Sequence, residues 1–288
     1  MNGKKALVLG GTGAMGVYLV PELASLGYEV HVVSMDNVLS DDPRISHVKA
    51  DAKNIDYLTD LLRDRYDVIV DFMLYSTEQF RERHDILLRN TDHYIFLSSY
   101  RIYDGCEIPI TEDTPRLLDA SGNAEFLATD DYSLTKARQE DILQSSGYDN
   151  WTIVRPAITY SKRRFQLVTL EAHLVVARAL KGLPVVLPKE ARSVQATMSW
   201  AGDVAKLMSR LIFNPAAYLE RFTLATAEHQ TWGEIAEYYR EIIGLEYVWA
   251  DTEDYLRIMG SSKAAGYQLA YDRLFDRVVD NSKVLRVT

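Results

Sequence analysis

Residues 4–34, KKALVLGGTGAMGVYLVPELASLGYEVHVVS, decide the fold. A short apolar run at 6–9 is followed by glycines at 10, 11, 13 and 16, a helical pattern that ends at Gly27, and a second apolar run. Short apolar runs bounded by glycine read as buried strands, and the 3.6-residue spacing between them reads as a helix. The unit is therefore strand, glycine turn, helix, strand. Gly10, Gly13 and Gly16 stand three apart, where a bare backbone lets a pyrophosphate approach and lets helix and strand pack closely. The helix N-terminus then faces the anion. The turn as a whole, with Gly11, Thr12, Ala14 and Met15 between those glycines, is a candidate nucleotide cradle. A tight turn without a ligand also uses glycine, but the strand-turn-helix setting favours the nucleotide.

The end of the second strand is where NAD and NADP are told apart. A carboxylate there accepts from ribose hydroxyls, whereas a 2′-phosphate needs Arg or Lys. The run is VVSMDN: Ser34 falls where the acid usually sits, Asp36 lies two places later, and no basic residue is near. This points to NAD with Ser34 and Asp36 at the ribose, and leaves NADP open. Asp36 followed by Asn37 also suits a plain solvated turn.

Further strands are expected at 45–50, 67–73, 93–98 and 151–155, with helix-like stretches at 54–64 and 78–89 between them. Strands alternating with helices imply an α/β fold, a Rossmann-type doubly wound parallel sheet. Beyond residue 160 the pattern is more helical and less regular. The expected organisation is a dinucleotide-binding domain over 1–160, with a segment returning to it near 196–225. The rest of 161–288 is expected to form a smaller, mainly C-terminal substrate lobe. Ligands of such sheets bind outside the carboxyl ends of the strands. That directs attention to Asp51-Ala52, Phe72-Met73, Ser98-Ser99-Tyr100 and Arg155-Pro156-Ala157.

Composition narrows the function classes. With 288 residues, 47% hydrophobic and 25% charged, the chain can bury a large core. No apolar run approaches the roughly 18 residues that cross a bilayer, so no membrane association and a cytoplasmic location are expected. The net charge of -9 works against tracking a polyanion, because nucleic-acid affinity comes largely from Lys and Arg neutralising phosphates. Cys106 is the single cysteine, and no Cys or His cluster has metal-ligand spacing, so no metal is expected.

Residues 130–139, DDYSLTKARQ, place Tyr132 and Lys136 one helical turn apart, which by itself is also the spacing of two surface neighbours. Asp130 and Asp131 suit the helix cap. Four motifs in order, LGGTGAMG, FLSSYRIYDG, DDYSLTK and IVRPAITY, together resemble the extended short-chain dehydrogenase/reductase family, the NAD-dependent epimerases and dehydratases. The segment TMSWAGDVAKLM resembles that family's return into the core domain. The resemblance implies NAD as cofactor and a sugar-like or small hydroxyl/carbonyl substrate. It implies Tyr132 as general acid/base, Lys136 as the lysine on the nicotinamide ribose, Ser99 as the hydroxyl that polarises the substrate oxygen, and Arg155-Pro156 beside the cofactor. A phenol has a pKa of about 10, and an adjacent ammonium and a cationic nicotinamide ring favour its phenolate. Two helices, at 78–89 and 131–145, are the candidates for a homodimer face.

The chain also departs from that family. Tyr100 and Arg101 occupy the two places where sugar-nucleotide dehydratases carry Asp-Glu, so dehydration by that route is not expected. Ala196 stands seven before Asp203, where epimerases of UDP-sugars carry an arginine for the nucleotide phosphates; Arg192 or the run Lys162-Arg163-Arg164 is the substitute candidate. Phe72 and Met73 replace a small-residue run. YDVIVDFMLYS is also similar to an atypical branch that includes chloroplast stem-loop RNA-binding proteins, which gives the alternative of a non-catalytic dinucleotide or RNA binder. That branch tends to lose the tyrosine that is present here as Tyr132.

Overall fold

The computed structural model describes residues 3–227, 229–260 and 262–288. Six strands, β1 (Lys5–Leu9), β2 (Glu29–Ser34), β3 (Ile45–Lys49), β4 (Tyr66–Asp71), β5 (Thr91–Leu97) and β6 (Trp151–Pro156), join a seventh, Glu220–Leu224, in one sheet. Its order is Glu220–Leu224, β6, β5, β4, β1, β2, β3, and every pairing is parallel. The order reverses at β1, beside the glycine turn, where an open α/β sheet leaves its ligand crevice.

Alternate residues of each strand feed opposite cores. Ala6, Val8, Val30, Val32, Val68, Val70 and Ile95 face the helices Gly16–Ser25 and Ala201–Leu211. Leu7, Leu9, Val33, Ile69, Tyr94 and Phe96 face the helices Ile55–Leu61, Thr77–Arg89 and Tyr132–Gln144. A strand that is buried on both faces must be apolar throughout, which is why β1 reads as an unbroken run and not as an alternation. Each fully buried aliphatic side chain contributes about 1.5–3 kcal/mol.

A separate core holds the lobe. It joins Ile158, Leu167, Val175, Val185, Trp232, Tyr255 and Leu269 to Tyr100, Ile102 and Tyr103 from the excursion after β5. Part of the lobe is thus donated by sequence that precedes residue 160. Conversely, the last helix, Ser282–Val287, returns to the first core through Val284. Among the described residues, no helix is long and apolar enough to cross a membrane.

Candidate active site

The helix Tyr132–Gln144 begins where Asp131 accepts the Ser133 amide at 2.9 Å, and its buried face carries Ser133, Lys136, Gln139, Glu140 and Leu143. Those positions recur at three- and four-residue intervals, so Tyr132 and Lys136 lie on the face turned to the sheet. They are not surface neighbours. Gln139 donates to the Tyr75 carbonyl at 2.7 Å, and Glu140 takes the Arg155 guanidinium at 2.9 and 2.7 Å. These bonds fix the helix against β4 and β6.

Tyr132 opens into a cleft of about 630 Å3 at the carboxyl ends of β1, β4, β5 and β6. Gly10, Gly13, Ala14, Met15 and Gly16 form one wall, Phe72, Ser98 and Ser99 the floor, and Arg101, Arg163, Arg164, Gln166, Glu171 and Arg273 the lobe side. Gly10 holds φ at +74°, in the left-handed region that favours glycine. A Cβ on Gly16 would lie 2.2 Å from the Gly11 carbonyl oxygen, so the close packing of helix on turn needs glycine there. Gly13 differs: an added Cβ would meet only the Gly10 carbonyl, at 3.4 Å. The helix Gly16–Ser25 has no side-chain cap and no acidic residue in its first turn; its Val17 amide donates to the Gly13 carbonyl at 3.2 Å, and its Tyr18 and Leu19 amides to the Met15 carbonyl at 3.0 Å.

Charge is concentrated at the other end. The Tyr132 phenol is raised above its ordinary 10.0 by burial, while Arg101, the Ser99 hydrogen bond and Arg164 pull it down. The Arg101 guanidinium stands 5.3 Å from the ring. Lys136 is 1% exposed and its ammonium, 4.9 Å over the Phe96 ring, has no hydrogen-bond partner. Burial pushes its pKa down to about 8 against the pull of Asp71 and Glu140. Asp71 is itself fixed by the Met73 amide at 2.9 Å and the Tyr94 hydroxyl at 2.8 Å. The expected ammonium effect on the phenol therefore comes from the arginines, because Lys136 turns beneath the cleft towards Phe96. Ser98 Oγ and Thr159 Oγ1, both in the cleft wall, are also buried without partners. Buried polar groups are nearly always satisfied, and these two orphans at the cleft and Lys136 beneath it are exceptions.

A model of the NAD dependent epimerase/dehydratase family matches residues 6–223. The chain belongs to that family. Among solved structures it is similar to an epimerase from Methanothermobacter thermautotrophicus, with a TM-score of 0.76, 16% identity, and 99% of this chain and 86% of the other covered. It is similar to UDP-glucose 4-epimerase from Bifidobacterium longum in complex with NAD+ and UDP (0.71, 19%, 99% and 92%). The dTDP-glucose 4,6-dehydratase from Bacillus anthracis in complex with NAD is also similar (0.67, 19%, 94% and 96%). At these identities the likeness is one of fold. No curated protein matches the chain.

The residues expected at the site divide into two groups. Gly10, Gly13, Ala14, Met15, Gly16, Phe72, Ser99, Tyr132 and Pro156 line the cleft together. Arg155 does not. It is buried and fully engaged by Glu140, the Tyr103 hydroxyl at 2.9 Å and the Glu112 carbonyl at 3.2 Å, so it pins β6 to the helix Tyr132–Gln144. Asp51 and Ala52 also stay off the wall; the Asp51 carboxylate accepts the Lys53 amide at 2.9 Å and shapes the turn. Gly11 is packed among Val8, Val20 and Val32, and Met73 packs behind Gly10. Ser34 is buried at the end of β2 and accepts the Asp36 amide at 3.2 Å, the Asp36 side chain is exposed, and neither residue lines the cleft.

The places of the dehydratase acid pair hold a buried structural cluster. Tyr100 donates to Asp272 at 2.7 Å, and Asp272 also pairs with Arg101 at 3.2 Å, with Arg277 at 3.3 Å and with Arg273. No carboxylate is offered to the cleft there. Arg101, Gln166, Glu171, Gln268 and Arg273 were not legible as site residues in the sequence. Arg101 lies only two places after Ser99, which was the available signal; the others carry no local motif and arrive by tertiary packing.

Proposed function

We propose that the chain is an NAD-dependent oxidoreductase or epimerase that acts on a sugar-like or small hydroxyl/carbonyl substrate, with Tyr132 as acid/base. The unpartnered Lys136 ammonium, buried beneath the same cleft as Tyr132 and Ser99, carries this reading. The residues present fit a dinucleotide. The glycine wall leaves room where a Cβ at Gly13 would intrude, the helix without a side-chain cap would receive a pyrophosphate, and Lys136, buried beneath the cleft, would take ribose hydroxyls as partners once turned from Phe96 to the cleft. Asp36, exposed two places beyond the end of β2, would accept from the other ribose.

When bound, the nicotinamide supplies or accepts the hydride. Ser99 donates to the substrate oxygen and holds it against the phenol. Tyr132 takes the hydroxyl proton when a carbinol is oxidised and returns it when a carbonyl is reduced. Arg101 and Arg164 stabilise the phenolate that must stand ready before the proton is taken and that re-forms when it is returned, offsetting the burial that disfavours it. Phe72 and Leu97 make the floor apolar and limit water at the reacting carbon.

The test is a titration of cofactor-stripped protein with NADH and with NADPH, followed by a screen of carbonyl sugars for NADH oxidation. NADH is expected to bind more tightly, and Lys136→Met to weaken it at least tenfold. Tyr132→Phe is expected to keep NADH affinity and lower turnover by about 10²–10⁴-fold. Undiminished turnover in Tyr132→Phe would remove the acid/base role, and failure to bind either dinucleotide would remove the whole reading.

A further inference from the structure

Beyond residues 159–166 lies a second cavity, of about 590 Å3. The strip between folds back on itself, with Ser161 and Arg164 exchanging backbone hydrogen bonds of 3.0 Å in both directions. It acts as a partition. Thr159, Arg163 and Gln166 face the catalytic cleft, Tyr160, Lys162 and Phe165 face the second cavity, and Arg164 lines both. The helices Ala172–Ala179 and Trp232–Ile243 contribute the opposite walls, and Trp200, stacked edge-on to Tyr18 at 5.3 Å, stands at the side.

The lining is apolar to an unusual degree. Five of the fifteen exposed large hydrophobic side chains among the described residues, Tyr160, Phe165, Trp200, Tyr238 and Ile242, border this one cavity. Single exposed apolar residues need no explanation, but their concentration at one place marks a binding surface. The place is concave, and its volume falls within the roughly 300–1,000 Å3 of small-molecule sites, which favours a small ligand over a flat protein partner.

Its charge sets the rest of the chemistry. In a chain of net charge -9, this described lining holds Lys162 and Arg164 and no carboxylate. Lys162 lies 5.7 Å over the Tyr18 ring, and the Arg164 pairing with Glu171 is long, 3.6 Å, between side chains that are 35% and 43% exposed. A pair so open to water contributes little, so Arg164 is available to a ligand anion.

We propose that this cavity binds a small amphipathic anion, with an acyl or aryl body among Tyr160, Phe165, Tyr238 and Ile242 and its carboxylate or phosphate at Lys162 and Arg164. The site shares Arg164 with the catalytic cleft, and the rest of its wall belongs to other residues.

The experiment is calorimetric titration of the full chain with decanoate below its micelle concentration, with decyltrimethylammonium as the cation of equal chain length. Saturable one-to-one binding of decanoate is expected, at least about tenfold tighter than the cation. Ile242→Asp and Tyr238→Ser, measured side by side so that a folding defect in one does not decide the result, are each expected to weaken decanoate about tenfold while NADH affinity stays unchanged. Lys162→Gln with Arg164→Gln is expected to bring decanoate down to the affinity of the cation. The proposal falls if decanoate does not saturate, if the cation binds equally well, or if neither cavity variant changes the affinity. It falls also if sedimentation shows a dimer that Ile242→Asp dissociates and decanoate leaves intact, for then a second copy covers the face.

Discussion

At the glycine turn the wall of the cleft is main chain: Gly10 at positive φ, Gly16 against the Gly11 carbonyl, an uncapped helix end, and Asp36 in solvent. At the reaction end it is buried charge: Lys136 without a partner above Phe96, and Asp272 shared by Arg101, Arg273 and Arg277. The first end is shaped by sterics between near neighbours in sequence. The second is held by ion pairs that join residues as far apart as Arg101 and Asp272. Function at the nucleotide end should therefore tolerate loss of any one side chain, whereas the reaction end should fail when one charge is removed.

Asp272→Ala attacks that contrast hardest. Burial pushes the Asp272 carboxyl up, but Arg273, Arg101 and Arg277 together hold it below its ordinary value, so it is ionised and balances them. Its removal leaves buried guanidiniums uncompensated, at an expected loss of about 3–5 kcal/mol in urea unfolding. A loss below about 1 kcal/mol would show that the arginines reach water and that the seam is not charge-locked.

Lys136→Met probes the same end with the opposite sign. The ammonium titrates at about 8 in the folded chain against an ordinary 10.5. Between those values the unfolded chain binds the extra proton, so this residue makes stability rise with pH from 8 to 10.5, and its full cost is present below 8. In cofactor-free protein, Lys136→Met is expected to raise stability at pH 7 by about 1–3 kcal/mol. The gain should shrink as pH rises towards 10.5. Denaturation of wild type and variant at pH 7 and pH 10 measures it, and an equal difference at both would mean that Lys136 is not the titrating group.

Asp36→Ala should have the smallest effect. One exposed carboxylate on a ribose is worth about 1 kcal/mol, so NADH affinity should drop several-fold and stability should not change. A loss of a hundredfold would show that the nucleotide end also hangs on a single charge.

Much of this was legible in the sequence, for a definite reason. The glycine spacing, the double-sided apolar runs and the cap at Asp131 act within a few residues, and the strands and helices lie within a residue or two of their expected bounds, except at the C-terminal end of the helix Ile55–Leu61. Arg155 was misread because its position after β6 said where it lay but not that Glu140, one helix away, would take its guanidinium. Arg101 looked like an absent dehydratase acid and is instead part of a charge cluster closed by a residue near the far end of the chain.

The sequence by itself determined the doubly wound sheet and the glycine turn, because each rests on periodicity or on local backbone sterics. Only the tertiary structure decided which charges meet. It set Lys136 beneath the cleft without a partner, turned Arg163 to the catalytic side of the partition and Lys162 to the other, and built the apolar cavity from segments remote in sequence. Electrostatic and packing energies depend on distance and burial, and neither exists until residues remote in sequence are brought together.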